Sequence, residues 1–337
     1  MKSAIISIVS EQTIPNVLFI KEKQQLVEFF LFITTPGMES NTKTDAIIRA
    51  CHLPVSKTSR IIVDETKPAE MSQLIKEWID FKFSTFHLFV NLTGGTKLMT
   101  LAIHSLLKEY NASFWYLPIG LNTISEVRDD FTETLTAIKH QLSLHEYLKA
   151  NGLQYSVKVG MVYTPESCSI IFNEWRKHHF VLEHFPLQLA DKLTGLALEP
   201  QNAPGEWFEE YVFFNLRNIL HLSKGKIAAS VMIFSDEQSP LHDNEYDVMW
   251  VHDNTLHVAE CKVSLGSKPR AKLDNVMYKL GAINKLFGLK TYSHIFTLAN
   301  LRKMEGSLSP DLTRRLKILN INELNDKSTI LQKFNTL

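Results

Sequence analysis

Across residues 1–120, short apolar runs alternate with stretches in which apolar positions recur every three or four residues. The runs at 3–9, 29–34, 60–63, 86–91 and 113–118 read as strands, and the stretches at 14–24, 41–51, 69–81 and 96–110 as helices. Such a β-α repeat predicts a parallel, doubly wound sheet whose ligands bind beyond the carboxyl ends of its strands. One more short β segment and charged surface follow in 121–145, with a helix over 142–151. Residues 152–203 show no clear period, and Pro200, Pro204 and Gly205 mark a boundary. Beyond it come a helix over 205–221, strands over 226–234, 245–251 and 255–263, a helix over 273–287 and a strand over 294–297.

The two strands at 245–251 and 255–263 carry the most informative chemistry. If Asp253-Asn254 is the two-residue loop of a hairpin, facing residues have numbers that add to 507, so Asp247 lies opposite Glu260. Lys262, two residues further on, points to the same face. Met249, Val251, Leu256 and Val258 fill the other end of that face, so the polar groups are clustered. Facing carboxylates destabilise a sheet by roughly 0.2–1 kcal/mol, a cost that a divalent cation between them removes. Asp247, Glu260 and the Cys261 carbonyl offer magnesium or manganese hard oxygen ligands. With water as nucleophile, Lys262 is expected to orient it or help deprotonate it, and to stabilise a pentacovalent phosphate. Glu209, one turn into the helix at 205–221, is a candidate for an outer-sphere or second-metal carboxylate. The bland alternative is a surface hairpin in which Lys262 simply pairs with Glu260 or Glu245.

Two strand ends of the first region are also chemically loaded. One is Ser10-Glu11-Gln12-Thr13; the other is Asn91-Leu92-Thr93-Gly94-Gly95-Thr96-Lys97. In the second, paired glycines let the backbone approach an anion, and the next helix presents free N–H groups. Thr93 and Thr96 add hydroxyls, and Lys97 adds charge. The spacing fits neither a P-loop nor the Gly-x-Gly-x2-Gly dinucleotide fingerprint, which argues against a nicotinamide-dependent dehydrogenase. Thr34-Thr35 and 117–120, including Pro118, end other strands of the same sheet and are expected to line the same crevice.

Composition changes this picture little. The 337 residues carry 36 basic and 36 acidic side chains, which disfavours nonspecific coating of nucleic acid. Seven basic residues nevertheless stand between Lys262 and Lys290 against Asp274 alone, beside the candidate site. Three scattered cysteines, Cys51, Cys168 and Cys261, suit neither a disulfide framework nor a zinc ribbon, and Cys261 reads as a small buried apolar residue. With no membrane-length apolar run and no cleavage-site pattern at the start, the expected location is the cytoplasm.

Asp247 with Glu260-Cys261-Lys262 resembles the PD-(D/E)xK nuclease signature, and the helix, three strands, helix, strand order suits that core. Gly205-Glu206-Trp207-Phe208-Glu209 and Asn244-Glu245-Tyr246-Asp247-Val248 resemble the branch in which this nuclease follows a CRISPR-associated Rossmann-fold (CARF) sensor. Val9 to Asn16 and Asn91 to Met99 are similar to that sensor's ligand-binding loops. The resemblance implies an α/β chain: a Rossmann-like parallel sheet (CARF sensor, 1–145), a connector (146–203) and a restriction-endonuclease-like α/β domain (204–337). It implies a type III CRISPR ancillary nuclease in antiviral defence, activated by a cyclic oligoadenylate, usually the four-adenosine ring. The messenger contacts are expected among Ser10, Gln12, Thr13, Thr34, Thr93, Gly94, Gly95, Thr96, Lys97 and Pro118. A homodimer is implied, because a ring with rotational symmetry suits a two-fold interface. The substrate is expected to be single-stranded DNA or RNA, cut with magnesium or manganese. The alternative from another class is a messenger-binding regulator with an inactive nuclease fold.

Overall fold

A computed structural model describes residues 2–118, 121–128, 133–234, 244–288, 291–299 and 316–320. It divides into two units, Met1–Leu153 with Leu286–Lys290, and Gln154–Lys285 with Thr291–Leu337.

The first unit runs β1 (Ser3–Ile8), α1 (Ile14–Lys23), β2 (Phe29–Thr34), α2 (Pro36–Ser40), α3 (Lys43–Cys51), β3 (Thr58–Ile62), α4 (Pro68–Lys82), β4 (His87–Asn91), α5 (Lys97–Leu107), β5 (Ala112–Tyr116), β6 (Thr123–Val127), β7 (Glu133–Ala137) and α6 (Leu144–Ala150). Its seven-stranded sheet has the order β3-β2-β1-β4-β5-β6-β7. Strands β1 to β5 are parallel, whereas β6 and β7 add on antiparallel. The chain winds outward from β1 through β2 to β3, then returns to lay β4 on the other side of β1. That reversal is the switch point at which doubly wound sheets bind ligands. Ala4, Ile5, Ile6 and Ile8 of β1 are fully buried, since helices cover both faces and neither can be polar.

Two details depart from the sequence reading. The helix expected over 41–51 is α3, but ahead of it Pro36 starts a short helix, α2, that was not expected, and Thr42 takes a left-handed φ of 52° between the two. The single β segment expected in 121–145 is the β6–β7 pair. In β7 (Glu-Thr-Leu-Thr-Ala) polar residues outnumber the apolar ones that a strand is recognised by.

The second unit runs β8 (Gln154–Val157), α7 (Pro165–Arg176), α8 (Leu187–Thr194), α9 (Ala203–Ile219), β9 (Ile227–Phe234), β10 (Asn244–His252), β11 (Thr255–Lys262), α10 (Pro269–Ile283), β12 (Thr291–Thr297) and β13 (Leu316–Asn320). Its sheet has the order β13-β12-β11-β10-β9-β8. Strands β8 to β11 are antiparallel in succession, and β11, β12 and β13 are parallel.

The stretch 146–203, expected as a connector, is ordered structure: most of α6 falls in the first unit, while β8, α7 and α8 fall in the second. Helix α7 packs its aromatic face on α9. Phe172 stacks on Tyr211 at 5.1 Å between ring centroids, and Trp175 meets Trp207 edge-on at 5.7 Å. Trp175 and Trp207 are fully buried at the centre of this core. Among the described residues no helix is long and apolar enough to cross a membrane.

Candidate active site

The β10–β11 hairpin holds the first cluster. Trp250 faces His257 and Val248 faces Ala259, and carrying this register one pair further sets Asp247 against Glu260. The turn is Asp253-Asn254, both residues with positive φ (47° and 58°), as a two-residue hairpin loop with right-handed twist requires. Met249, Val251, Leu256 and Val258 are fully buried.

At the other end of that face the charged side chains meet. Asp247 Oδ2 accepts from the Cys261 N–H at 2.6 Å and lies 3.6 Å from Lys262 Nζ. Lys262 Nζ sits 2.7 Å from Glu260 Oε1, and Lys279 Nζ of α10 lies 3.2 Å from Glu260 Oε2. Lys279 also donates to the Glu245 carbonyl at 3.4 Å. The Cys261 side chain turns away into the apolar core beneath α9, leaving its backbone to the site.

Electrostatics mark the site as short of positive charge. Burial, then the charge of nearby Asp247, pushes the Glu209 carboxyl up from its ordinary value. Burial and the facing Glu260 do the same to Asp247. Glu245 adds to the repulsion on Glu209, and Lys158 and Lys262 relieve it in part. Five carboxylates, Glu209, Glu210, Glu245, Asp247 and Glu260, therefore share the ammonium groups of Lys158, Lys262 and Lys279. Among the described residues no group of three or more His, Cys, Asp or Glu side chains stands close enough to hold a metal ion. What the site offers is the Asp247 and Glu260 carboxylates, hard oxygens drawn together by Lys262 among more carboxylates than lysines. That donor set fits magnesium or manganese.

Burial alone would lower the Lys262 pKa, but the charges of Asp247 and Glu260 outweigh burial and raise it. An ammonium so placed donates hydrogen bonds and stabilises anions.

Three neighbours were not singled out as site residues by the sequence reading. Lys279 was legible only as one member of a basic strip. Glu210, adjacent to Glu209, is 2% exposed. It accepts from the Val162 and Tyr163 N–H groups at 2.9 and 2.8 Å and from Lys158 at 3.3 Å, pinning the start of the α7 region to α9. Two adjacent glutamates inside an otherwise aromatic helix were the available signal; Lys158 offered none.

The second cluster lies at the switch point of the first unit. A Cβ on Gly94 would lie 2.0 Å from the Ile8 carbonyl oxygen, so only glycine lets the loop after β4 approach the end of β1. Gly95 has φ 75°. Asn91 is buried, its side-chain amide donates to Ser7 Oγ at 3.3 Å, and its Oδ1 accepts from the Thr93 N–H at 3.0 Å. Thr96 caps α5 by accepting from the Met99 N–H at 3.2 Å, while Lys97 is exposed. Ser10 Oγ donates to the Gln12 carbonyl at 3.2 Å.

Not every expected messenger contact faces the crevice. Thr13 is fully buried and donates to the Ala150 carbonyl at 2.6 Å. Thr34 is fully buried and accepts from Thr44 Oγ1 at 3.4 Å. The Thr93 hydroxyl oxygen accepts from the Leu117 N–H at 2.8 Å, which ties the loop to the end of β5 beside half-buried Pro118. These three threonines shape the crevice through internal bonds. Residues 119–120, expected beside Pro118, lie outside the described residues.

Residues 4–147 match the family described as Card1 CARF domain, and residues 200–336 match the one described as Card1-like, endonuclease domain. The chain joins a CARF domain to a Card1-like endonuclease domain. A comparison with curated proteins gives no match. Among solved structures, protein VC1899 from Vibrio cholerae is similar at 14% identity and a TM-score of 0.76, over 98% of this chain and 97% of that one. Can2 from Sulfobacillus thermosulfidooxidans, solved in complex with cyclic tetra-adenylate, is similar at 18% identity and a TM-score of 0.72, over 99% and 98%. A type III CRISPR defence DNA nuclease activated by cyclic oligoadenylate is similar at 16% identity and a TM-score of 0.61, over 88% of this chain and 45% of that one. At these identities the likeness establishes the shared fold alone.

Proposed function

We propose that this chain is a type III CRISPR ancillary nuclease: a metal-dependent phosphodiester hydrolase that cuts single-stranded DNA or RNA when its CARF unit binds a cyclic oligoadenylate, with cyclic tetra-adenylate the first to try. The convergence of Asp247, Glu260 and Lys262 at one end of the hairpin, beside Glu209, carries this reading. Asp247, Glu260 and the Cys261 carbonyl are the groups to hold magnesium or manganese, which when bound supplies Lewis-acid activation of water and phosphate. Lys262 keeps its proton and donates to the scissile phosphate as negative charge grows in the transition state. Asp247 is held in place by the Cys261 N–H, so its free oxygen is preoriented. Glu209 contributes a third carboxylate at the rim.

In the CARF unit, the close approach at Gly94, the α5 N-terminus and the exposed Lys97 suit an anionic ring. Leu98 and Leu101, three residues apart on α5 and 44% and 68% exposed, offer an apolar face next to that loop. A second copy covering it would set two messenger loops about one two-fold axis, in keeping with a homodimer. Can2 carries cyclic tetra-adenylate in its own structure, which supports the choice of ligand class.

The test incubates single-stranded DNA and RNA with manganese and a panel of cyclic oligoadenylates. Cutting is expected only with metal and one ring size together. Equal cutting without any ring removes the gating, and undiminished cutting by Lys262→Ala removes the site. Ring binding with no cutting under any metal turns the protein into a messenger-binding regulator.

A further inference from the structure

Both oxygens of Glu260 are taken by lysines: Oε1 by Lys262 at 2.7 Å and Oε2 by Lys279 at 3.2 Å. The carboxylate is 6% exposed, so little water competes for it. A carboxylate shared by two ammonium groups is a poor ligand for a divalent cation, which must displace one of them and tolerate the other. The two lysines differ in how they are held. Lys262 stands two residues from Glu260 on the same strand, and its Nζ is held by both Glu260 and Asp247. Lys279 comes from α10, among the described residues hydrogen-bonds the hairpin at Glu260 and the Glu245 carbonyl, and keeps 40% of its side chain exposed.

The path of the chain after α10 adds a second observation. Leu286–Lys290 belongs to the first unit, although α10 belongs to the second. Within that first unit Phe287 is fully buried, and its carbonyl accepts from the Tyr147 hydroxyl at 3.3 Å. Gly288 has φ 92°, and a Cβ there would lie 2.7 Å from Gln12 Oε1 and 3.7 Å from Asn151 Oδ1. Gln12 belongs to the loop after β1, one of the two loops of the candidate messenger crevice. The segment that carries Lys279 is thus anchored, nine residues later, beside that loop.

We propose that Lys279 is a displaceable counter-ion and a positioning residue for Glu260: without messenger it occupies Oε2, and ring binding at the 10–13 loop, passed along 286–288 to α10, withdraws it and frees Glu260 to ligate a divalent cation. The inference rests on the nuclease reading above and adds to it the group that must move. By linkage, a messenger that favours the withdrawn state tightens cation binding, and the cation tightens messenger binding by the same factor.

The experiment measures manganese binding to the full chain by calorimetry, with and without cyclic tetra-adenylate, alongside thermal melts. For the wild-type chain the messenger is expected to tighten manganese binding about tenfold, an ordinary coupling between sites. Lys279→Met is expected to show that tighter binding without messenger, with no further gain when it is added. Lys279→Arg, which restores the cation, is expected to return the messenger dependence. Gly288→Ala, strained at its left-handed φ and crowding Gln12, is expected to bind the messenger while losing its effect on manganese. Manganese bound equally by wild type and a folded Lys279→Met, without messenger, overturns the counter-ion role and leaves the nuclease reading standing. Manganese bound by neither protein under any condition removes the nuclease reading and the inference with it.

Discussion

The CARF crevice and the hairpin site hold their polar groups in opposite ways. Around the crevice, Thr13, Asn91, Thr93 and Thr96 are engaged by neighbours in the same unit, so the loops are held in shape before any ligand arrives. At the hairpin, burial and like charge raise Glu209 and Asp247, so the side chains raise one another's energy. The first is a satisfied scaffold that presents backbone N–H groups, the second a charged cluster held by its fold against its own preference. A site of the first kind is lost by breaking structure. A site of the second kind is lost by removing charge, and stability then rises, the usual exchange between stability and activity.

The largest effect that separates the two is Asp247→Asn. The amide keeps an acceptor for the Cys261 N–H but removes a buried charge facing Glu260. Cutting is expected to fall by about a thousandfold or more, as for loss of a group acting in the transition state. The melting temperature is expected to rise by about 2–4 °C, in line with a gain near 1 kcal/mol in a chain of this size. A fall in both would put Asp247 in the same class as the crevice residues and break the comparison. Gly94→Ala comes next: its Cβ meets a backbone carbonyl rather than a flexible side chain. The CARF unit is expected to lose about 2–4 kcal/mol, through strain of the kind overpacking produces, and messenger binding with it. Retained melting temperature with retained binding would show that the loops are less fixed than their hydrogen bonds imply.

How far each region could be read from sequence follows from the same contrast. The hairpin register was legible because side chains alternate strictly and the turn dipeptide fixes the offset, so Asp247, Glu260 and Lys262 came out on one face. The parallel sheet was legible because its central strands β1 and β2 are mostly apolar and buried. Thr13 and Thr34 were harder. A hydroxyl at a strand end looks the same in sequence whether it faces a ligand or donates to a distant carbonyl, and Ala150 is 137 positions from Thr13. Residues 154–203 were illegible because α7 and α8 are recognised by what they bury, and Trp175 and Phe172 bury themselves on partners in α9. Lys279 shows the same limit in the site itself: only α10 folding beside the hairpin picks it from a basic strip.

A smaller effect tests whether the CARF unit depends on charge anywhere. Glu146 sits in a capping box at the start of α6, where Ser143 donates through its N–H and hydroxyl at 2.9 and 3.0 Å. Lys21 lies at 2.8 Å and His140 at 3.4 Å. Burial alone would raise this carboxyl, but the hydrogen bonds from His140, Lys21 and Ser143 outweigh it and hold it far below its ordinary value. A depressed carboxyl contributes stability above the unfolded value near 4.5 and loses it as pH falls toward the folded value. Glu146→Gln is expected to cost about 1–3 kcal/mol at neutral pH, the range for hydrogen bonds to a charged group. The gap between variant and wild type should close as pH drops below 4.5, read from urea unfolding at a series of pH values. A gap that stays constant with pH would assign the whole effect to the neutral cap.

The smallest effect belongs to Lys97, exposed at the start of α5. A lysine there opposes the positive end of the helix dipole, and among the described residues no ion pair to Lys97 offsets this. Lys97→Ala is expected to leave the melt unchanged or raise it by a few tenths of a kcal/mol, and to weaken messenger binding about three- to tenfold at low salt. The loss should shrink as ionic strength rises, because an exposed pair is screened within about 8–10 Å. The backbone N–H groups of the same loop are held by the fold, so the salt-insensitive remainder measures what they contribute. If the whole affinity vanished with salt, the crevice would be a charged site like the hairpin, and the distinction between the two halves would rest on burial alone.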